Sequence, residues 1–194
     1  MPSFIDLLDL HKRLDKLFLE HQRWLIRLDL DRAEVALDGY SAALRAHIRD
    51  EETYMIPLYG ERVTAPIGGA VEIFLNEHQK LRTLLDLFKQ EIEKIRTMDD
   101  IERGVLFLLD SQHLFKRLLV HHDSREKKML YSLLDQVTTE TERLSLFQQL
   151  ELQPKSTCAA TVQRRDMAPS FSDGPIAASQ AGCDCWFGIR AVWN

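Results

Sequence analysis

Four stretches of the chain place an inward-facing residue every three or four positions, the spacing of one face of an α-helix. Helix A reads Leu7, His11, Leu14, Phe18, His21, Leu25, Leu28, and helix B reads Ala33, Leu37, Tyr40, Leu44, His47, Glu51, Tyr54, Leu58. Helix C reads Val71, Phe74, His78, Leu81, Leu85, Phe88, Ile92, Ile95, and helix D reads Val105, Leu108, Gln112, Phe115, Leu119, His122, Glu126, Met129, Leu133. Ser3 with Asp6 three residues on predicts a capping box that opens helix A, and Asp31 followed by Glu34 opens helix B. Pro57 and Gly60 are expected to end B, and Asp99 followed by Glu102 to open D. Thr139 with Glu142 predicts a short fifth helix reaching about Leu152.

The A–B and C–D links are only a few residues long, so neighbouring helices run antiparallel. The expected fold is therefore all-α, an up-down-up-down four-helix bundle with a short fifth helix. After Pro154 the chain turns rich in Ser, Ala, Gln, Pro and Gly and loses its period. This divides it into a bundle over residues 1–152 and an irregular, poorly ordered tail over 153–194. Cys183-x-Cys185 in that tail is a weak signal for metal or redox use.

Each stripe carries a polar break: His11 in A, His47 with Glu51 in B, His78 in C, and His122 with Glu126 in D. A single His on an apolar stripe reads as a satisfied core histidine, and one His-x-x-x-Glu pair as an ion pair. The six together read differently, because they share one depth. His11 lies about 18 residues before the A–B turn, and His47 and Glu51 lie about 16 and 20 after it. His78 lies about 20 before the C–D turn and His122 about 22 after it, which is level within a turn of helix. Burying four imidazoles and two carboxylates in a dry layer is costly unless a cation compensates them.

A partial repeat supports the layer. His11-Lys12-Arg13-Leu14 resembles His78-Gln79-Lys80-Leu81, and His47-x-x-x-Glu51 resembles His122-x-x-x-Glu126. Each half of the chain supplies one lone His and one His-Glu pair whose members share a helix face. Imidazole and carboxylate together suit transition metals, and Glu51 and Glu126 are the natural bridges between two ions. Two divalent ions so held keep a residual charge of about +2, which an oxo or hydroxo bridge would help offset.

Composition narrows the chemistry. All seven His lie between positions 11 and 122, and all three Cys lie after position 157. Within the bundle a metal must be held by imidazole and carboxylate, without thiolate or disulfide. The net charge of −5 gives no basic footprint for nucleic acid, and no run is apolar and long enough to span a membrane. The start lacks a basic region followed by an apolar one, so the expected location is cytoplasmic.

The segment Leu44-Arg45-Ala46-His47-Ile48-Arg49-Asp50-Glu51-Glu52, with Pro57 after it, resembles the His-x-x-x-Glu-Glu signature of the hemerythrin family, the HHE cation-binding bundles. His122-Asp123-Ser124-Arg125-Glu126 resembles its second copy, and Glu77-His78 its helix C ligand. The resemblance covers roughly residues 4–135 and implies a non-haem diiron centre that takes dioxygen or a related ligand such as peroxide or nitric oxide. Oxygen-carrying members have a second His one turn earlier on helix C, where this chain has Phe74, and their helix D carboxylate follows its His by five residues rather than four. One iron would thus be an imidazole poorer and more exchangeable. The expected role shifts from oxygen transport toward sensing, storage, or iron and redox handling. The alternatives are a diiron enzyme acting on peroxide or nitric oxide, an iron-donating repair protein, and a structural bundle with a zinc or empty site.

Other polar residues read as supporting. His21 is expected to be a buried His bonded to Tyr40 or Gln112, although a shifted helix A would make it the ligand in place of His11. His121 is expected at the surface or behind a ligand, and His113 at the surface. Glu52 and Glu77 are candidates to hold a ligand imidazole N–H. Tyr54 and Met129 are expected in the core.

Overall fold

The computed structural model describes residues 2–151, which are helical with short connections and contain no strand. A 3-10 turn at Phe4–Leu7 leads into α1, Leu8–Ile26. Helix α2, Leu30–Asp50, continues through a π-helical turn, Glu51–Met55, into α3, Ile56–Arg62. Helix α4 spans Val71–Ile95. Helix α5, Ile101–Arg125, continues through a second π-helical turn, Glu126–Tyr131, into α6, Ser132–Val137, and α7 spans Glu140–Gln149. Packing runs α1 on α2, α2 on α4, α4 on α5 and α5 on α1, which closes the expected up-down-up-down bundle. No helix among the described residues is long and apolar enough to cross a membrane. The tail expected over 153–194, with Cys183 and Cys185, lies outside the described residues.

The caps at Ser3 and Thr139 are full capping boxes, as the sequence predicts. Two starts differ from expectation. Asp29 rather than Asp31 caps α2, accepting from the Arg32 N–H at 3.0 Å, and Asp100 rather than Asp99 caps α5, accepting from Arg103 N–H at 2.9 Å. Asp31 is instead drawn to Arg96. The A–B turn closes α1 with paired backbone bonds, Asp29 N–H to Trp24 carbonyl at 3.1 Å and Leu28 N–H to Leu25 carbonyl at 2.9 Å. That closure puts Leu28 at φ 57°, the left-handed conformation for which glycine is preferred. Leu28 therefore leaves the inward stripe and is 41% exposed.

Pro57 does not end helix B. It sits in the first turn of α3, just past the π-helical turn. Proline lacks an N–H and crowds the carbonyl of the preceding turn, and the wider π turn accommodates both. The helix ends at Arg62, before Pro66 and Gly68.

Both π turns begin on a candidate ligand carboxylate and add a residue to the turn. Beyond them the inward register moves by one. The core takes Met55 and Tyr59 in place of Tyr54 and Leu58, and Leu130 and Leu134 in place of Met129 and Leu133. The displaced residues are only partly buried and flank the core.

Two apolar clusters fill the bundle. One contains Leu14, Phe18, Tyr40, Leu44, Leu81, Phe88 and Phe115 and extends to the A–B and C–D turns. The other contains Phe4, Leu7, Met55, Tyr59, Phe74 and Leu130 at the opposite end. The polar layer lies between them: on helix A, for example, His11 separates Leu7 of one cluster from Leu14 of the other. Water is excluded from above and below, which strengthens any electrostatic interaction inside.

Candidate metal centre

All six polar breaks meet in this layer, each buried. They fall into two groups whose donor atoms lie within 4.8 Å of one another: Glu51, His78, His122 and Glu126 in one, and His11, His47 and Glu126 in the other. His11 Nε2 and His47 Nε2 approach to 2.8 Å. His122 Nε2 stands 2.7 Å from Glu126 Oε1, and His78 Nε2 stands 3.2 Å from Glu51 Oε2.

Each carboxylate turns one oxygen to each group. Glu126 presents Oε1 to His122 and His78, and Oε2 to His11 at 3.5 Å. Glu51 presents Oε2 to His78, and Oε1 to His47 at 3.6 Å. The i, i+4 spacing on α2 and α5 produces this by setting each Glu one turn from its His on the same face.

The environment differs between the groups. His78 Nδ1–H donates to Glu52 Oε1 at 3.0 Å, and Glu52 is held by Arg82 at 2.5 Å. His122 Nδ1–H donates to Glu77 Oε2 at 3.1 Å, and Glu77 is held by Arg125. These are the roles expected of Glu52 and Glu77, and each fixes which ring nitrogen faces the centre. His11 Nδ1 has no such partner; Asp123 Oδ1 lies 3.4 Å away, outside hydrogen-bond geometry. A cavity of about 10 Å³ lies beside His11 and His47, bordered also by His122 and lined by Leu14, Asp15, Tyr40 and Asp123. That is room for about one water molecule.

Tyr131 enters the site although the sequence pattern gave no reason to expect it. Its phenol O–H donates to Glu51 Oε1 at 2.5 Å, and its oxygen lies 3.3 Å from His11 Nε2 and 3.4 Å from Glu126 Oε2. Tyr131 follows Glu126 by five residues, a spacing that an α-helix turns away from the Glu face and the π turn brings back. Arg82, Arg125, Asp15 and Asp123 were equally unmarked in the pattern.

The charges are strongly coupled. Burial works against charge on His122, yet Glu126, Glu77 and Glu51 raise it well above the ordinary imidazole value. Burial likewise opposes charge on His78, but Glu126 and Glu51 bring it up to about 9. Burial alone would raise the Glu126 carboxyl; His122, His78 and His11 hold it well below the usual range. Burial lowers His47, which keeps it neutral and able to donate a lone pair. Burial and the neighbouring Glu126 push Asp123 up to about 7.

The donor set fits a cation better than a network of protons. Glu51 Oε2, His78 Nε2 and Glu126 Oε1 are buried and make no hydrogen bond, despite lying close to one another. Such atoms converge on common points rather than on each other, which is how ligands surround a metal ion. Carboxylate and imidazole both suit divalent transition metals.

The remaining candidates fall outside the layer. His21 is buried, donating from Nδ1 to the Ala33 carbonyl at 2.8 Å and accepting at Nε2 from the Gln112 amide at 2.8 Å. The partner is thus Gln112 rather than Tyr40, whose ring packs on Phe18. Gln22 donates in turn to Gln112 at 2.9 Å, so the buried chain of polar groups is satisfied. Burial lowers the His21 value, in keeping with a neutral ring. His113 and His121 are exposed. Phe74 is fully buried and packs edge-on against Tyr59, with centroids 5.9 Å apart.

Fold and site together define a cation-binding helical bundle protein. A family model described as the hemerythrin HHE cation binding domain matches residues 5–144, and the chain belongs to that family. No curated protein and no solved structure matches the chain.

Proposed function

We propose that the chain binds two iron ions and uses them to take up dioxygen or a related small ligand, peroxide or nitric oxide, for sensing, storage, or iron and redox handling. The observation that carries this reading is the split of both carboxylates. Glu51 and Glu126 each give one oxygen to the His11–His47 group and the other to the His78–His122 group. Two ion positions sharing two bridging carboxylates account for that geometry, while a single ion leaves two imidazoles unused. Iron so held supplies reversible ligand binding and one-electron redox change. His11, His47, His78 and His122 are the proposed nitrogen ligands, and Phe74 closes off the position of a further one. Six side chains do not saturate two six-coordinate ions, so positions remain for the small ligand.

Metal analysis of protein purified under iron-replete conditions tests the proposal, together with anaerobic iron reconstitution and exposure to air. About two irons per chain and new near-ultraviolet or visible absorption on exposure are expected. Bound zinc, or no metal, with reconstitution giving no new absorption, overturns the reading and leaves a structural bundle.

Tyr131 favours a second reading, an enzyme turning over peroxide or nitric oxide. Its phenol is a buried proton donor at the His11–His47 group. Under that reading Tyr131→Phe lowers turnover at unchanged iron content, and turnover by the native protein no faster than free iron rules it out.

A further inference from the structure

We propose that the two halves of this centre fill in a fixed order: the His78–His122 half takes its divalent ion first and tightly, and the His11–His47 half is the exchangeable one. This rests on the two-ion reading above. It reverses the expectation that the half lacking a third imidazole, at Phe74, is the looser.

The six ligands repeat between the halves of the chain, but their neighbours do not. Glu77 precedes His78, whereas Leu10 precedes His11; Glu52 follows Glu51, whereas Lys127 follows Glu126. Leu10 is buried in the apolar cluster and Lys127 is exposed, so neither supplies an oxygen to an imidazole. The His78–His122 half therefore has both Nδ1–H groups fixed by carboxylates, and each carboxylate is fixed by an arginine. Those arginines also tie helices together, Arg82 of α4 to the Glu51–Met55 turn and Arg125 of α5 to Glu77 of α4. The carboxylates raise imidazole basicity and hold the rings in place before the ion arrives. Such a partner is worth about 10–100-fold in metal affinity.

The other half is less constrained and nearer water. His11 Nδ1 lacks a hydrogen bond, and the cavity that both His11 and His47 line, with His122 alone from the other half, reaches Asp15, which is exposed, and Asp123, whose side chain is 34% exposed. Two carboxyl groups, Asp15 and Asp123, thus stand at the cavity beside His11 and His47. The His78–His122 half has a fully buried His78 and Phe74 packed one turn away on the same helix.

Anaerobic titration of the full chain with ferrous ion against a competing chelator reads out both dissociation constants without any activity. Two constants at least tenfold apart are expected. His47→Ala should abolish the weaker equivalent and leave the tighter constant within about threefold, while His122→Ala should abolish the tighter one. Glu52→Gln and Glu77→Gln together keep all six ligands and so are less disruptive to folding; they should weaken the first constant about tenfold or more and leave the second. Equal constants in the native chain, or a tight equivalent that survives His122→Ala and disappears with His47→Ala, overturn the filling order. A native chain that never binds a second equivalent overturns the two-ion reading instead.

Discussion

Helix A offers two buried histidines on one face, and replacing each by alanine should affect metal content very differently. His21 is fully buried and anchors a closed set of hydrogen bonds. In His21→Ala the Ala33 carbonyl and the Gln112 amide lose their partners, each loss costing about 1–3 kcal/mol. A cavity opens beside Phe18, whose ring centroid lies 5.7 Å from that of His21. Together these amount to roughly 3–5 kcal/mol of lost stability, which for a domain of this size lowers the melting temperature by about 10 °C or more. The metal layer, about 15 Å away along the helix, should be untouched. His11→Ala removes a buried ring and its 2.8 Å hydrogen bond to His47 Nε2, so it also loses stability, and iron content is the reading that separates the two variants. Under the two-ion proposal, iron content should fall by about one equivalent. Both variants are to be reconstituted well below their melting points, with iron measured per folded monomer after gel filtration. Equal iron loss in the two, or greater loss in His21→Ala, would show that His21 rather than His11 serves the centre.

Three further outcomes are expected. Tyr131→Phe removes the phenol that donates to Glu51, and hydrogen bonds to charged groups are worth about 1.5–3 kcal/mol; urea denaturation of the metal-free protein should show a loss of that order, and an unchanged midpoint would refute the role assigned to the phenol. Leu28→Gly relieves a left-handed φ of 57° and should add about 1 kcal/mol, read as a rise in melting temperature, whereas a fall would mean that the contacts of the leucine outweigh its strain. The metal-free protein should lose stability as pH rises, because Glu126 and Glu51, against the opposing effect of burial, lift His78 from 6.5 to about 9. A raised folded-state value adds stability that is full below about 6.5 and is lost through about 9, on the order of 3 kcal/mol, so urea midpoints should fall across that window and metal loading should flatten the profile. A flat profile in the metal-free protein would refute the coupling.

Much of this was legible in the sequence because polar residues on apolar stripes are conspicuous and helical rise converts position into depth. His11, His47, Glu51, His78, His122 and Glu126 are the residues that arithmetic selects, and they meet in one layer. It also separates His21 from them. Register beyond the carboxylates was not legible. A period of 3.6 carries the stripe from Glu51 to Tyr54 and Leu58, and from Glu126 to Met129 and Leu133. The π turns break that period, and no residue type marks a π turn as proline marks a kink. Tyr131 was hidden for the same reason. The caps slipped by one or two residues where two aspartates stand close together, Asp29 with Asp31 and Asp99 with Asp100, and only the geometry of the preceding turn decides between them.

The π turns also explain how a doubled ligand pattern can yield unlike halves. Each turn starts on the carboxylate, so the His and Glu of a pair keep their α-helical spacing while everything beyond is rotated by one residue. The residue five places after Glu126, Tyr131, thereby faces the layer. The residue five places after Glu51 is Ile56, buried in the apolar cluster with Met55 and Tyr59. The same backbone turn is thus followed by an apolar side chain in one half and by a phenol in the other. The phenol oxygen reaches His11 and both carboxylates. The glutamate–arginine pairs instead stand behind His78 and His122. The phenol thus stands with His11, and the rigid supports with His78 and His122. A symmetric carrier of two equivalent ions has no need of that division. A centre of the proposed two-ion kind, in which one ion stays in place while the other meets its ligand, does.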